Sequence, residues 1–215
     1  MGLLSSTPLE FADRWEEDGG VAVFAFTATK PFRHIAGQHG IFTIKGGGTR
    51  PFSLASAPGD EQVVIATKLD SGSKYKKALA ALRPGDRITM RGPIMKFILD
   101  GAGDEVVFLA QGVGITPFRS LLRHIDTAGL GVRSTLLHLG DGHAFKAETE
   151  QLASDARYHR DREDFAVDLK QVATNAPNAT YYISGMPKFI AETSAALKDL
   201  GISRKQIRKD NFRGY

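Results

Sequence analysis

Cysteine is absent from the 215 residues. That absence excludes disulfides, thiolate catalysis and any cysteine-ligated zinc or iron–sulfur centre, so electrons passing through the chain find no cluster of its own. Long apolar runs are missing too. Val106 to Ala110 and the interrupted stretch from Ala191 to Leu200 fall far short of the roughly 20 apolar residues a bilayer-crossing helix needs. Met1 to Glu10 shows no basic segment followed by an apolar core, so no membrane association and a cytoplasmic location are the expectations. Dense basic runs are also lacking. The formal net charge is +4, and all the excess sits in residues 1–99, with 13 Lys and Arg against 9 Asp and Glu. Such a mild bias suits an anionic small molecule or an acidic protein partner, and it argues against a nucleic-acid surface. The six histidines form no metal-ligand pattern: His34 and His39 lie five apart, and His138 and His143 flank a Gly-Asp-Gly turn. Packing or surface roles, and no metal, are expected of them.

What is present reads as two halves of different character. With 42% hydrophobic and 24% charged residues, the chain has an ordinary globular composition. Val21 to Ala28, Gly40 to Lys45 and Gln62 to Leu69 have strand composition, and the turn chemistry of Gly46-Gly47-Gly48, Ala57-Pro58-Gly59-Asp60 and Arg83-Pro84-Gly85-Asp86 separates them. One helix is predicted over Ser73 to Leu82, with Ser73 as its N-cap and Ala78, Leu79 and Leu82 on one face. Strands with one inserted helix predict a small antiparallel β-barrel over residues 1–99. After the link Leu99 to Asp104, strand and helix patterns alternate: strand Val106 to Ala110, helix Thr116 to Thr127, strand Ser134 to Leu139, helix Phe145 to Asp155, strand Phe165 to Leu169, strand Thr180 to Ser184 and helix Pro187 to Leu200. That order predicts a parallel α/β domain over 104–215. No internal repeat or low-complexity tract is present.

Two segments carry chemistry. Gln111-Gly112-Val113-Gly114-Ile115-Thr116-Pro117-Phe118 lies between an apolar strand and an amphipathic helix. There glycines admit a diphosphate, free amides favour the anion, and Pro117 opens the helix at no hydrogen-bond cost. The sixth position is Pro, so the ordinary Rossmann fingerprint fails, and a plain strand-to-helix turn would look similar. In Arg50-Pro51-Phe52-Ser53-Leu54-Ala55-Ser56, alternation puts Arg50, Phe52 and Leu54 on one face and Pro51 and Ser53 on the other. An Arg can bridge a diphosphate, an aromatic can lie against a flat ring, and a Ser can hydrogen-bond a ring nitrogen. Taken alone, it is also a strand with one core Phe and an exposed Arg.

In order and spacing these segments resemble the ferredoxin-reductase family, in which Arg-x-Tyr-Ser precedes Gly-x-Gly-x-x-Pro; Phe52 stands where that family usually has Tyr. Ser73 to Leu79, Leu82-Arg83-Pro84-Gly85-Asp86 and Arg91-Gly92-Pro93 resemble its flavin-diphosphate helix and the turn that follows. Tyr182 to Pro187 resembles its nicotinamide-side Ser-Gly-Pro segment with one residue inserted, and Phe212-Arg213-Gly214-Tyr215 its aromatic C-terminus. The resemblance implies a Greek-key barrel holding FAD followed by a Rossmann-like domain holding NADH or NADPH, with no iron–sulfur domain. It implies that Arg50, Pro51, Phe52, Ser53, Thr67, Lys68, Ser73 and Lys76 bind FAD. Gly112, Val113, Gly114, Thr116, Pro117, Asp141, Ser184, Gly185 and Met186 would bind the nicotinamide nucleotide. Ser53, Ser184 and Tyr215 would border the reacting rings, with Tyr215 a displaceable lid over the isoalloxazine.

The implied activity is hydride transfer from NAD(P)H to FAD, then single electrons to a ferredoxin, a flavodoxin or an oxygenase component. The cofactors supply the organic chemistry, and no general acid or base is required. A free-flavin or ferric-chelate reductase is the alternative within that class, and a non-catalytic flavin- or nucleotide-binding module the alternative outside it. Leu139-Gly140-Asp141 puts an acid where NADPH-using relatives tend to have Ser and Arg, so NADH is expected over NADPH, unless Arg119, Arg123 or Lys146 reaches the same place.

Overall fold

The computed structural model describes residues 6–94 and 97–211. Its first half is a six-stranded antiparallel sheet of β1 (Ser6–Glu17), β2 (Val21–Ala28), β3 (His39–Ile44), β4 (Gly48–Ser53), β5 (Gln62–Lys68) and β6 (Arg87–Ile94), with helix α1 (Lys74–Ala80) before the last strand. The order is β4-β3-β6-β1-β2-β5, a Greek-key arrangement because β6 returns to lie between β3 and β1. Just past β4, Ala55 N–H donates to Val64 O at 2.8 Å, which draws the two edges together into a barrel. Ser73 caps α1 by accepting from Lys76 N–H. Inside lies an aromatic chain in which Phe26, Phe42 and Phe52 pack edge to tilt at centroid separations of 6.2 and 5.7 Å. β2 is an apolar run rather than an alternating one because both its faces are buried. Ala22, Phe24 and Phe26 fill the barrel, while Val21, Val23 and Ala25 face the second half.

The second half is a five-stranded parallel sheet of β7 (Glu105–Gln111), β8 (Arg133–Leu139), β9 (Asp155–His159), β10 (Thr180–Gly185) and β11 (Ile207–Asn211). Helices α2 (Thr116–Thr127), α3 (Lys146–Leu152), α4 (Arg162–Asn175) and α5 (Pro187–Asp199) connect the strands. The order β11-β10-β7-β8-β9 reverses direction between β7 and β10, the topological switch point at which ligands of open parallel sheets bind. Phe118, Leu121 and Leu122 of α2 pack between β7 and the barrel, and Phe165, Leu169, Phe189 and Ile190 of α4 and α5 cover the opposite face.

Two sequence expectations are corrected. Phe165 to Leu169 is not a strand but part of α4. Asp161 caps that helix by accepting from Glu163 and Asp164 N–H, and its buried positions Phe165, Leu169, Val172 and Ala173 follow the helical period, which a five-residue window truncates. The strand that does fill this place, β9, falls where the helix of Phe145 to Asp155 and its link were expected, and α3 ends at Leu152. As an edge strand β9 is mostly half-buried and polar, with Arg157 paired to Asp155 and Asp168, so it carries no apolar alternation. Strands β1, β6 and β11 were not anticipated either.

The capping account predicts that Asp161→Ala destabilises the protein by about 1 kcal/mol, a fall in Tm of about 2–4 °C for a chain of this size. An unchanged denaturation midpoint would show that α4 does not depend on its cap.

Candidate functional site

The barrel and the switch point of the parallel sheet face each other across a cleft of about 730 Å³. Its barrel wall is formed by Phe52, Ser53, Ala66, Thr67, Lys68, Asp70 and Lys76, and its opposite wall by Gln111 to Gly114, Thr116, Leu139 to Gly142 and Gly185 to Pro187. Arg160 and Arg162, just past β9, complete the lining.

On the sheet side, β7 runs into a tight turn in which Gly112 has φ +53° and is left-handed. A Cβ on Gly114 would stand 2.3 Å from the Ser184 carbonyl oxygen, so only glycine lets the turn close against β10. No side chain caps α2; the Thr116 hydroxyl instead turns back to Val113 O at 2.6 Å. The Thr116 N–H also turns back to Val113 O and Pro117 has none, so it is the opening amides of the Gly112 to Ile115 turn, those of Gly112 and Val113, that have no partner within it and suit an anion in the cleft. Beneath the turn, His138 of β8 is fully buried and donates from Nε2 to Gly112 O at 3.0 Å. Burial pushes its pKa down to about 3, helped by neighbouring His143, so the ring stays neutral. The hydroxyl of Ser184 is buried without a hydrogen-bond partner among the described residues, as is Oε1 of Gln111. Gly185 beside them has φ +155°, and Met186 is exposed at the mouth.

On the barrel side, Phe52 is largely enclosed by Phe42 and Tyr75 and borders the cleft. Ser53 Oγ lies 2.9 Å from His39 Nε2 and 3.3 Å from Asp210 Oδ2, and His39 Nε2 is 3.1 Å from the same carboxylate oxygen. All three residues are buried. His39 comes from β3, Ser53 from β4 and Asp210 from β11, so this triangle joins the two sheets. Sequence reading found Ser53 and missed its partners, because nothing local marks a pairing across 157 positions. Thr67 and Lys68 end β5 at the cleft, and Lys76 is buried on its wall 3.9 Å from Asp70.

Of the remaining expected residues, Arg50, Pro51, Ser73, Pro117 and the fully buried Ser184 stand outside the cleft wall. Arg50 donates to Thr49 O and sits 6.0 Å from the Tyr75 ring centroid, next to α1. Tyr215 lies outside the described residues. The three cations that could have countered Asp141 are engaged elsewhere. Arg119 is paired with Glu148 and donates to Ala55 O. Arg123 is paired with Asp60, and Lys146 lies over Tyr158.

No protein-family model matches the chain. The phenoxybenzoate dioxygenase subunit beta of Ectopseudomonas oleovorans is 30% identical over 180 residues, covering 80% of this chain and 56% of that protein. The flavohemoprotein of Bacillus subtilis is 29% identical over 186 residues, covering 76% of this chain and 46% of its own. The flavohem-like FAD/NAD binding domain of a nitric oxide dioxygenase from Vibrio cholerae superposes with a TM-score of 0.80 at 20% identity, covering 96% of this chain and 98% of that domain. In fold the chain is ferredoxin-reductase-like. It spans about half the length of the curated relatives it matches. Among the described residues no helix is long and apolar enough to cross a membrane.

The depressed pKa of His138 makes a pH prediction. The unfolded chain binds its proton near pH 6.5 while the folded chain does so only near 3, so protons favour unfolding between these values. The contribution to stability is complete above pH 6.5 and is lost at up to about 1.4 kcal/mol per pH unit as the pH falls toward 3. Denaturation of His138→Phe across that window is expected to show a shallower acid limb than the wild type; parallel limbs would mean that another group carries it.

Proposed function

We propose that the cleft holds FAD against the barrel wall and a nicotinamide dinucleotide against the sheet wall, and that the protein passes reducing equivalents from NADH through FAD to a separate acceptor. The observation that carries this reading is one cleft with two unlike walls, one presenting Phe52, Lys68 and Lys76 with Asp70 beside them, the other built from the glycine-rich turns that end the parallel strands. The residues fit both groups. Lys68 and Lys76 offer charge to a flavin diphosphate, with Arg50 and Ser73 flanking α1, and the turn from Gly112 to Gly114 offers its opening amides to the other. The Gln111 carbonyl, without a partner among the described residues and carried by a residue of the cleft wall, is a polar group whose burial a bound nicotinamide would offset.

Bound FAD supplies the hydride acceptor and the store from which electrons leave singly. The chain's own part is placement. Phe52 presents its ring to the isoalloxazine side, Ser53 offers a hydroxyl beside it, and the positive φ of Gly185 lets the end of β10 approach the nicotinamide. His39 and Asp210 stand behind Ser53 within hydrogen-bond reach, so a proton released or required at Ser53 Oγ has a neighbour to exchange with. Asp141 accepts from a ribose hydroxyl and repels a 2′-phosphate, favouring NADH. Arg160 and Arg162 on the same wall support NADPH as the second reading, although Arg162 is already paired with Glu192 at 2.9 Å.

In this proposal the FAD domain is residues 1–99 and the nucleotide domain 104–215. The acceptor is a ferredoxin, a flavodoxin or an oxygenase component, and the setting is the cytoplasm. The relative that is a dioxygenase subunit supports that choice of acceptor. The purified protein is expected to be yellow with one noncovalent FAD, and Arg50→Ala and Lys76→Ala each to weaken FAD retention by about 10-fold, the size of one charge-assisted hydrogen bond. A colourless protein that FAD cannot reconstitute would refute the reading. NADH is expected to exceed NADPH in kcat/KM, and a strong reverse preference overturns the role given to Asp141. Asp210→Asn is expected to lower kcat by about 10²-fold at unchanged FAD content, the scale of lost proton transfer; full activity in this variant would remove Asp210 from the mechanism.

A further inference from the structure

The loop after β8 that carries Asp141 is not held by its own sheet alone. From the barrel, the tight turn joining β1 to β2 reaches across and grips it. Asp18 Oδ2 accepts from His143 N–H at 3.0 Å, and Glu17 Oε2 accepts from Phe145 N–H at 3.0 Å. Glu17 is itself steadied by Trp15, whose Nε1 donates to the other carboxylate oxygen. Between these bonds the two backbones touch glycine to glycine: a Cβ on Gly142 would stand 2.3 Å from both N and Cα of Gly19. Phe145, the N-cap of α3, sits at φ +60° with no side-chain cap of its own, so the Glu17 carboxylate, accepting from its amide, does from the barrel what the N3 Glu or Gln of a capping box does locally. On its other flank the loop is fixed by Gly140 N–H donating to His159 O at 2.9 Å.

We infer that the β1–β2 turn is a specificity device: Glu17 and Asp18 position the Gly140 to Gly142 loop so that Asp141 stands at a fixed place on the cleft wall and discriminates between the two nicotinamide dinucleotides. The inference rests on the coenzyme reading of the cleft given above. Its physical basis is that one exposed carboxylate selects between a ribose hydroxyl and a phosphate only if its position is defined. A carboxylate on a loose loop swings away from a phosphate at little cost, whereas one on a clamped loop must meet it. Neither Glu17 nor Asp18 lines the cleft, so both act through the loop and are positioning residues. The contact with Asp18 is also visible in its carboxyl, which the amides of His143 and Gly19 hold below the usual carboxylate pKa, with Arg160 and His143 adding weaker pulls in the same direction.

The experiment is a double-mutant cycle on the FAD-loaded protein, read as the ratio of kcat/KM for NADH to that for NADPH and as the dissociation constant of ADP-ribose. The variants are Glu17→Ala/Asp18→Ala, Asp141→Ala and all three changes together. Losing two loop-holding hydrogen bonds is expected to shrink the coenzyme ratio by about 3- to 10-fold, mainly through a higher KM for NADH, with kcat within about twofold. In the Asp141→Ala background the same pair of changes is expected to leave the ratio where it is, because coupled residues do not add. Amide hydrogen exchange over 140–146 is expected to quicken in the Glu17/Asp18 variant, and Asp18→Asn, which keeps an acceptor, to restore most of the ratio. Gly142→Ala is a second route to the same end. Gly142 is not in the left-handed region, so its main obstacle is the Gly19 backbone, and loss of the ratio is expected there too. If Asp141→Ala changes the ratio and the Glu17/Asp18 variant does not, or if the effects add, the clamp is overturned and the coenzyme reading stands. If Asp141→Ala itself leaves the ratio unchanged, the role given to Asp141 fails, and the clamp's role in specificity with it.

Discussion

The structure depends on one hydrophobic contact, the packing of the barrel's outer face onto α2. Val21, Val23 and Ala25 of β2 and Val64 and Ala66 of β5 lie in the same buried cluster as Phe118, Leu121 and Leu122 of α2 and Phe108 of β7. The two sheets therefore share a core, and the cleft between them is an edge of that core. Polar contacts at its rim set the orientation. Ser120 Oγ of α2 donates to Ser56 O at 2.7 Å, Arg119 donates to Ala55 O at 2.9 Å, and Arg123 bridges Asp60 to Glu148. The hydrogen bond and charge of Asp60, with those of Glu148, hold the Arg123 guanidinium protonated well above its ordinary range. Half-buried ion pairs of this kind add little stability but penalise any other registration of the two surfaces.

That registration makes the His39, Ser53 and Asp210 triangle possible. Ser53 and His39 lie on barrel strands and Asp210 on the last strand of the parallel sheet, so a small rotation of one sheet against the other would separate both from Oδ2 and leave the buried Asp210 carboxyl without them, while Ser53 and His39 keep each other. Leaving that group so costs about 1–3 kcal/mol, which makes the triangle a sensor of how the two sheets are arranged, with Ser53 also part of the cleft wall. The unpartnered Nδ1 of His39 shows where this packing falls short of full satisfaction.

Local signals were legible in the sequence and long-range ones were not. Thr116 to Thr127 was read correctly because Pro117 and the helical period both lie inside the helix, and the Ser73 cap because its partner amide is three residues away. The turn at Gly112 to Gly114 was legible because backbone that must close against a strand needs glycine, and glycine is visible. His39 and Asp210 were hidden because their meaning depends on which strands become neighbours. Arg119 and Arg123 were candidate coenzyme cations by charge alone; their face of α2 turns toward the barrel, which periodicity does not reveal. Edge strand β9 escaped for the complementary reason: at a sheet edge apolar alternation is not required, so its residues carry no strand signature.

A further constraint follows from where the polar backbone groups go. A helix start, a left-handed glycine and the end of a buried strand each leave donors or acceptors without partners, and here all three meet at one point beside β10. Local side chains that could have satisfied them do otherwise: Thr116 bonds to Val113, Ser184 is turned into the interior, and no residue caps α2. The wall's own carbonyl, that of Gly112, is meanwhile drawn down to His138, away from where an anion would sit. A turn whose opening amides have no partner within it, and whose first carbonyl is drawn down to a buried ring, is arranged to meet a negatively charged group, and its rigidity comes from buried strands on one side and the barrel's tight turn on the other.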